Sequence, residues 1–271
     1  MPVLSRADNS LLGRWWWTVD RWTLLAIFTL IGFGYVMMLA ASPAVAERIH
    51  QARDLFILKQ VFFLVIAGSV VVVMSLLSPR GVRRVALVGC ALALVLTAMT
   101  IVAGTEIKGA RRWISLPGMT LQPSEFLKPC FAVVAAWLLA EGRREASRLR
   151  GMAWTGLAVG VAGLIAVLLK SQPDVGMLAV IIGVFFIQLF VNGLNLFLAG
   201  GLLASIAAAG VAAYEFFPHV RSRVDRFIDP ASGDNWQVTR AMEAFGNGGL
   251  LGRGPGEGHV KDLIPDAHAD F

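Results

Sequence analysis

The residues best equipped for chemistry stand at the end of the sequence, in Ile264-Pro-Asp266-Ala-His268-Ala-Asp270-Phe271. Carboxylates alternating with an imidazole are general-base or metal-ligating equipment. A divalent cation such as magnesium would suit them, and the sequence leaves the metal requirement open. Taken alone, the stretch reads better as a solvated loop.

Four earlier stretches share this density of polar groups. Lys108-Gly-Ala-Arg111-Arg112-Trp113 sets three cations beside an indole, a surface for anions and for ring stacking. The same residues also suit the headgroup belt of a bilayer. Downstream, Gln122-Pro123-Ser124-Glu125-Phe-Leu-Lys128 puts an acid and a base three apart, on one face if helical. Ser124 is placed there to cap the helix that follows. In Lys170-Ser-Gln172-Pro173-Asp174-Val-Gly176, the proline ends one helix and Asp174 can cap the next. Arg221-Ser-Arg223-Val-Asp-Arg226 spaces Arg223 and Arg226 three apart. If helical, the pair would present two guanidiniums to phosphate, or hold an interfacial helix on anionic lipid. A glycine-rich run from Gly233 to Gly258 lacks the Gly-Lys-Ser/Thr ending of a phosphate loop and follows no strand pattern, so no nucleotide site is read there.

The elements that position these residues are apolar helices. The chain is 56% hydrophobic and only 15% charged, against roughly 25% charged in a soluble domain. Its net charge of +6 falls beside apolar runs, where topology determinants belong, so nucleic acid is not the expected partner. Cys90 and Cys130 both lie inside apolar runs and imply no disulfide framework. Crossing a bilayer takes about 20 mostly apolar residues, and seven stretches are candidates: Leu24–Ala41, Leu55–Leu77, Val85–Gly104, Phe126–Ala140, Met152–Leu169, Val175–Val191 and Leu196–Tyr214. Trp15, Trp16, Trp17 and Trp22 precede the first as an interfacial anchor. The expected fold is therefore an all-α polytopic membrane protein. Arginines before the first span, between the second and third, and between the fourth and fifth place those segments and the N-terminus in the cytoplasm. All the polar stretches then fall on the outer side, and residues 215–271 form a long extracytoplasmic loop.

Taken together, the motifs resemble the SEDS family (shape, elongation, division and sporulation), which includes FtsW and RodA. The resemblance runs in order from Gly109 to Phe271. It is carried by Gly-Ala-Arg-Arg-Trp113, Gln-Pro-Ser-Glu125, Gln-Pro-Asp174-Val-Gly, Arg223 to Asp229-Pro, Gly-Gly-Leu-Leu-Gly-Arg-Gly and Pro-Asp-Ala-His268-Ala-Asp270-Phe. Gly-Pro-Gly-Glu-Gly at 254–258 is closer to the division branch than to the elongation branch. The final motif departs mildly from the family pattern at Ile264, Asp266 and Ala269, and keeps His268 and Asp270.

The resemblance implies one membrane domain over 1–271, with seven of an expected ten spans, and hence a chain truncated at its C-terminus. It implies a peptidoglycan glycosyltransferase that polymerises lipid II at the division septum of the bacterial inner membrane, releasing polyprenyl pyrophosphate. The implied partner is a class B penicillin-binding protein (FtsI-like), alongside other division proteins and membrane lipid. Asp270 becomes the catalytic base, and neighbouring cations would hold it ionised. Arg111, Lys128 and Arg223 become candidates for the leaving pyrophosphate, with Trp113, Glu125, Asp174 and His268 as further substrate-binding candidates. A lipid II flippase is the alternative. It would place its polar residues in broken helices at the membrane midplane, whereas here they concentrate in outer loops. A non-catalytic scaffold for division proteins, or an elongation-type polymerase, are further readings.

Overall fold

The computed structural model describes residues 10–48, 53–107, 110–116, 119–216, 218–229, 236–249 and 252. In chain order the elements are α1 (Leu11–Thr18), α2 (Arg21–Arg48), α3 (Arg53–Leu76), α4 (Pro79–Ala103), β1 (Thr105–Ile107), β2 (Ala110–Leu116), β3 (Met119–Leu121), α5 (Pro123–Arg144), α6 (Arg148–Ser171), α7 (Val175–Val191), α8 (Leu196–Phe216), α9 (Pro218–Ile228) and α10 (Trp236–Gly248).

Each of the seven expected apolar segments is a helix, and the protein is an all-α polytopic membrane protein. Among the described residues, six helices are long and apolar enough to cross a membrane. The remaining one, α7, has 17 residues, the lower limit for a span of about 30 Å of hydrocarbon. Local signals cut it short at both ends. The Asp174 Oδ1 cap accepts from the Met177 amide at 3.2 Å. At the other end Gly193 sits at φ +91° and the Leu194 amide reaches back to Leu189 O at 3.0 Å. That left-handed helix stop favours glycine because a Cβ would be strained there.

The expectation of helices and loops alone missed the three-stranded antiparallel meander between α4 and α5, ordered β1-β2-β3. Residue 107 pairs with 110, and 116 with 119, so each connection is two residues long. Lys108-Gly109 and Pro117-Gly118 were the available sequence signals, both glycine-containing pairs between β-prone residues.

The chain forms two compact units, residues 77–209 and residues 1–76 with 210–271. In the first, α5 is the hub and packs against α4, α6 and α7. Its inward side chains Leu127, Phe131, Val134, Ala135 and Leu138 are all buried, and Phe131 meets Phe185 of α7 at 5.7 Å between ring centroids. Outward residues are equally apolar, as with Val102 at 82% exposure. That is the pattern expected where the solvent is lipid rather than water.

Gly142 and Gly151 let α5 and α6 approach backbone to backbone. A Cβ on Gly151 would stand 2.6 Å from Gly142 O, and one on Gly142 would stand 2.9 Å from Gly151 O. Gly151→Val must therefore push the two helices apart. The expected cost is about 1–3 kcal/mol, to be read as a lower melting temperature in detergent. Gly156→Val is the control, since a Cβ there meets nothing within 4 Å; equal melting of the two variants would contradict the close-approach account.

In the second unit, α1 carries the tryptophan cluster. Trp15 Nε1 donates to Ser75 Oγ at 2.8 Å, tying α1 to the end of α3. The Arg21 guanidinium lies 5.2 Å from the Trp16 ring and 5.0 Å from that of Trp17. Asp20 fixes the start of α2, accepting from the Trp22 amide at 3.0 Å and the Thr23 hydroxyl at 2.6 Å. Chiefly through the Thr23 hydroxyl, its carboxyl is held below the ordinary carboxylate value. Residues 215–249, expected as loop, contain α9 and α10.

Candidate functional site

Three of the polar stretches meet at one end of the 77–209 unit, where α4 and α6 finish and α5 and α7 begin. The meander delivers the decisive side chain. Thr105 pairs with Trp113 and Glu106 pairs with Arg111, which leaves Arg112 as the extra residue of a β-bulge in β2. A bulge re-aims the side chain it carries. Arg111 stays on the ladder and faces Glu106, their charges 3.4 Å apart with both side chains more than half exposed. Arg112 turns toward the α6–α7 turn. Its Nε donates to Gln172 O at 3.0 Å, one terminal nitrogen donates to Pro173 O at 2.9 Å, and the other lies 3.4 Å from Asp174 Oδ2. A planar guanidinium is suited to this three-point grip because its donors are fixed in a fork.

Asp174 is the convergence point. Besides the Arg112 contact and the α7 cap, its Oδ2 accepts from Gln122 Nε2 at 3.3 Å. Gln122 occupies the N-cap position of α5 and also donates to Ser124 Oγ at 3.1 Å. Ser124 therefore does not cap α5 as expected. It lies buried in the first turn, because Pro123 already occupies the position after the cap. Gln172, also buried, crosses to α4, where its Nε2 donates to Thr97 O at 3.0 Å and Thr100 Oγ1 at 2.5 Å. The α6–α7 turn is thus held from three sides, by β2, by the start of α5 and by α4.

The expected Glu125–Lys128 pair forms across one turn of α5, with Lys128 Nζ 2.5 Å from Glu125 Oε2 and both side chains partly exposed. Trp113 is half-buried in β2, and among the described residues no cation lies over its ring. Of the candidates, Arg111, Trp113, Glu125, Lys128 and Asp174 thus belong to this end of the unit. Arg112, Gln122 and Gln172, which lie inside motifs read from the sequence, and Thr97 and Thr100, which lie in none, complete the clamp, a role the sequence did not assign to any of the five. Only the register of β2 separates Arg112 from Arg111.

Arg223 lies in α9, so the helical spacing expected of Arg223 and Arg226 is present in the backbone, but their side chains lie outside the described residues. Around them, Tyr214 donates to Asp225 Oδ1 at 2.7 Å, and Arg221 stacks over the Tyr214 ring at 5.4 Å. Asp266, His268 and Asp270 also lie outside the described residues. Among the described residues no cluster of three or more His, Cys, Asp or Glu side chains is placed to hold a metal.

The sequence profile of the FtsW/RodA/SpoVE family, described as "Cell cycle protein", matches residues 21–271. The chain belongs to this family. Among its relatives, the probable peptidoglycan glycosyltransferase FtsW of Caulobacter vibrioides is 39% identical over 99% of this chain and 68% of its own length. The corresponding Marinomonas mediterranea protein is 31% identical over 93% of the chain and 63% of its own length. Solved SEDS structures share the fold. One, from work on how a peptidoglycan synthase complex coordinates polymerization and crosslinking, superposes with TM-score 0.65 and 28% identity, covering 86% of this chain and 67% of that one. Thermus thermophilus RodA superposes with TM-score 0.53 and 28% identity, covering 69% of this chain and 59% of its own. The family is thus one of peptidoglycan glycosyltransferases, and the chain spans about two thirds of the length of the relatives it matches.

Proposed function

We propose that this SEDS chain acts as a peptidoglycan glycosyltransferase that polymerises lipid II during septal wall synthesis. The observation that supports the reading is the 39% identity, over 99% of the chain, to a relative named as a probable peptidoglycan glycosyltransferase. In the proposed reaction, the 4-hydroxyl of an acceptor sugar attacks the anomeric carbon of the donor. The bond from that carbon to the pyrophosphate oxygen breaks, and polyprenyl pyrophosphate leaves. The hydroxyl proton passes to the Asp270 carboxylate. Arg111, Lys128 and Arg223 are the cations proposed to meet the leaving charge.

The proposed orientation puts the N-terminus in the cytoplasm of a bacterial inner membrane and residues 215–271 outside, within one membrane domain. The clamp end of the 77–209 unit then faces the outer leaflet, where lipid-linked sugars are exposed to the wall. The proposed partner is a class B penicillin-binding protein of the division machinery, by analogy with the synthase complex among the structural relatives.

The test supplies full-length protein and its penicillin-binding partner with lipid II in proteoliposomes. Glycan polymer is expected. Lipid II movement across the bilayer without polymer would instead establish the flippase reading.

A further inference from the structure

The opposite end of the 77–209 unit has a different chemistry. Arg80, Arg83 and Arg84 open α4, and Arg143 and Arg144 close α5. Arg148 and Arg150 open α6, with only Glu141 and Glu145 as carboxylates among them. Glu141 is already engaged: its Oε1 lies 3.8 Å from Arg83 and 4.0 Å from Arg144, and it accepts from Trp137 Nε1 at 3.1 Å. Arg83 and Arg144 therefore crowd one oxygen. The Gly142–Gly151 backbone contact draws the first turn of α6, with Arg148 and Arg150, against the same place. Arg80, Arg84, Arg148 and Arg150 are exposed, and none has an ion-pair partner among the described residues.

Beside these cations the surface turns apolar. Leu149 is 81% exposed and Met152 62%. The half-buried indoles of Trp137 and Trp154 lie 6.2 Å apart, centroid to centroid, where α5 and α6 meet, as amphipathic rings do at a headgroup boundary. Exposed guanidiniums gathered at one end of three helices, with Glu141 already engaged, next to exposed aliphatic side chains, fit a ligand with a phosphate at one end and hydrocarbon at the other.

We propose that this end of α4, α5 and α6 is a binding site for the headgroup of an anionic glycerophospholipid, of the phosphatidylglycerol or cardiolipin class, in the leaflet it faces. The site is separate from the clamp and does not depend on the proposed polymerase activity. It also asks for more than topology does. Orienting a membrane protein needs positive charge, which lysine supplies equally. Gripping a phosphodiester at two oxygens needs the guanidinium fork.

The test is native mass spectrometry of the detergent-solubilised chain, titrated with dioleoylphosphatidylglycerol and with dioleoylphosphatidylcholine, whose acyl chains are identical. Wild type is expected to bind the anionic lipid about tenfold more tightly. The combined Arg80→Lys, Arg84→Lys, Arg148→Lys and Arg150→Lys protein keeps its net charge and is expected to lose most of that preference. Glu141→Gln keeps an acceptor for Trp137 but releases Arg83 and Arg144, and is expected to tighten binding several-fold. Equal binding of the two lipids by wild type, undiminished preference in the four-lysine protein, or no gain in Glu141→Gln would each overturn the site. Displacement of the anionic lipid by inorganic phosphate alone would overturn it in favour of a soluble-anion site.

Discussion

Replacing Asp270 by asparagine in the full-length protein is expected to reduce glycan polymer from lipid II by at least about 100-fold, the lower end of what a positioned general base contributes. A sugar hydroxyl is a poor nucleophile at neutral pH until something takes its proton as the new bond forms. A carboxylate can take it. An amide of nearly the same size cannot, yet it still accepts a hydrogen bond, so lipid II binding is expected to persist. The diagnostic result is a loss in kcat with KM for lipid II changed far less, since the lost interaction exists only as the reaction proceeds. Asp270→Glu restores the base but moves it by a methylene. It is expected to recover only part of the rate, because a misplacement of about 1 Å at a reacting group is costly. Equal polymer from wild type and Asp270→Asn would remove Asp270 as the base and leave the family assignment standing.

The second large effect is structural. Asp174→Ala is expected to cost about 2–4 kcal/mol, combining a lost helix cap with an unpaired, partly buried guanidinium. Its side chain is 10% exposed and that of Arg112 29%, so little water is at hand to replace the lost contacts. Arg112→Ala is expected to lose a comparable amount, since it strips donors from Gln172 O and Pro173 O as well as from the carboxylate. Arg111→Ala is expected to change stability by under about 0.5 kcal/mol, because its pair with Glu106 is exposed on both sides. Melting temperatures of the three purified variants in one detergent decide the matter, and equal losses at Arg111 and Arg112 would contradict the bulge. Asp174→Asn separates the two contributions: it can keep the Met177 cap while losing the charge, so it is expected to fall between wild type and Asp174→Ala.

These two experiments concern different kinds of residue. Asp174, a candidate for substrate binding, also makes a cap, an ion pair and a hydrogen bond from Gln122. Those contacts hold the α6–α7 turn, and a variant there is expected to lose the outer end of the unit as a whole. Asp270 carries the chemistry in the proposed reaction.

By itself the sequence determined the membrane class, the seven apolar helices to within a few residues at most ends, the Asp174 cap of α7 and the Glu125–Lys128 pair. The physical reason is locality. A span is dictated by some 20 residues whose backbone groups must bond to one another in lipid, a cap by four residues, and an ion pair by one helical turn. The ordered motifs also carried the family, because several short patterns in a fixed order are far more specific than any one of them. Only the tertiary structure decided which of two adjacent arginines works inward. Arg111 and Arg112 are chemically identical, and the extra residue in β2 that turns Arg112 toward Asp174 depends on how β1 pairs with β2. It also decided that Ser124 lies buried behind Gln122 instead of capping α5, and that Thr97, Thr100 and Gln172 form one knot. Gln172 stands more than 70 positions along the chain from both threonines, and nothing in the local pattern of either segment points to the other.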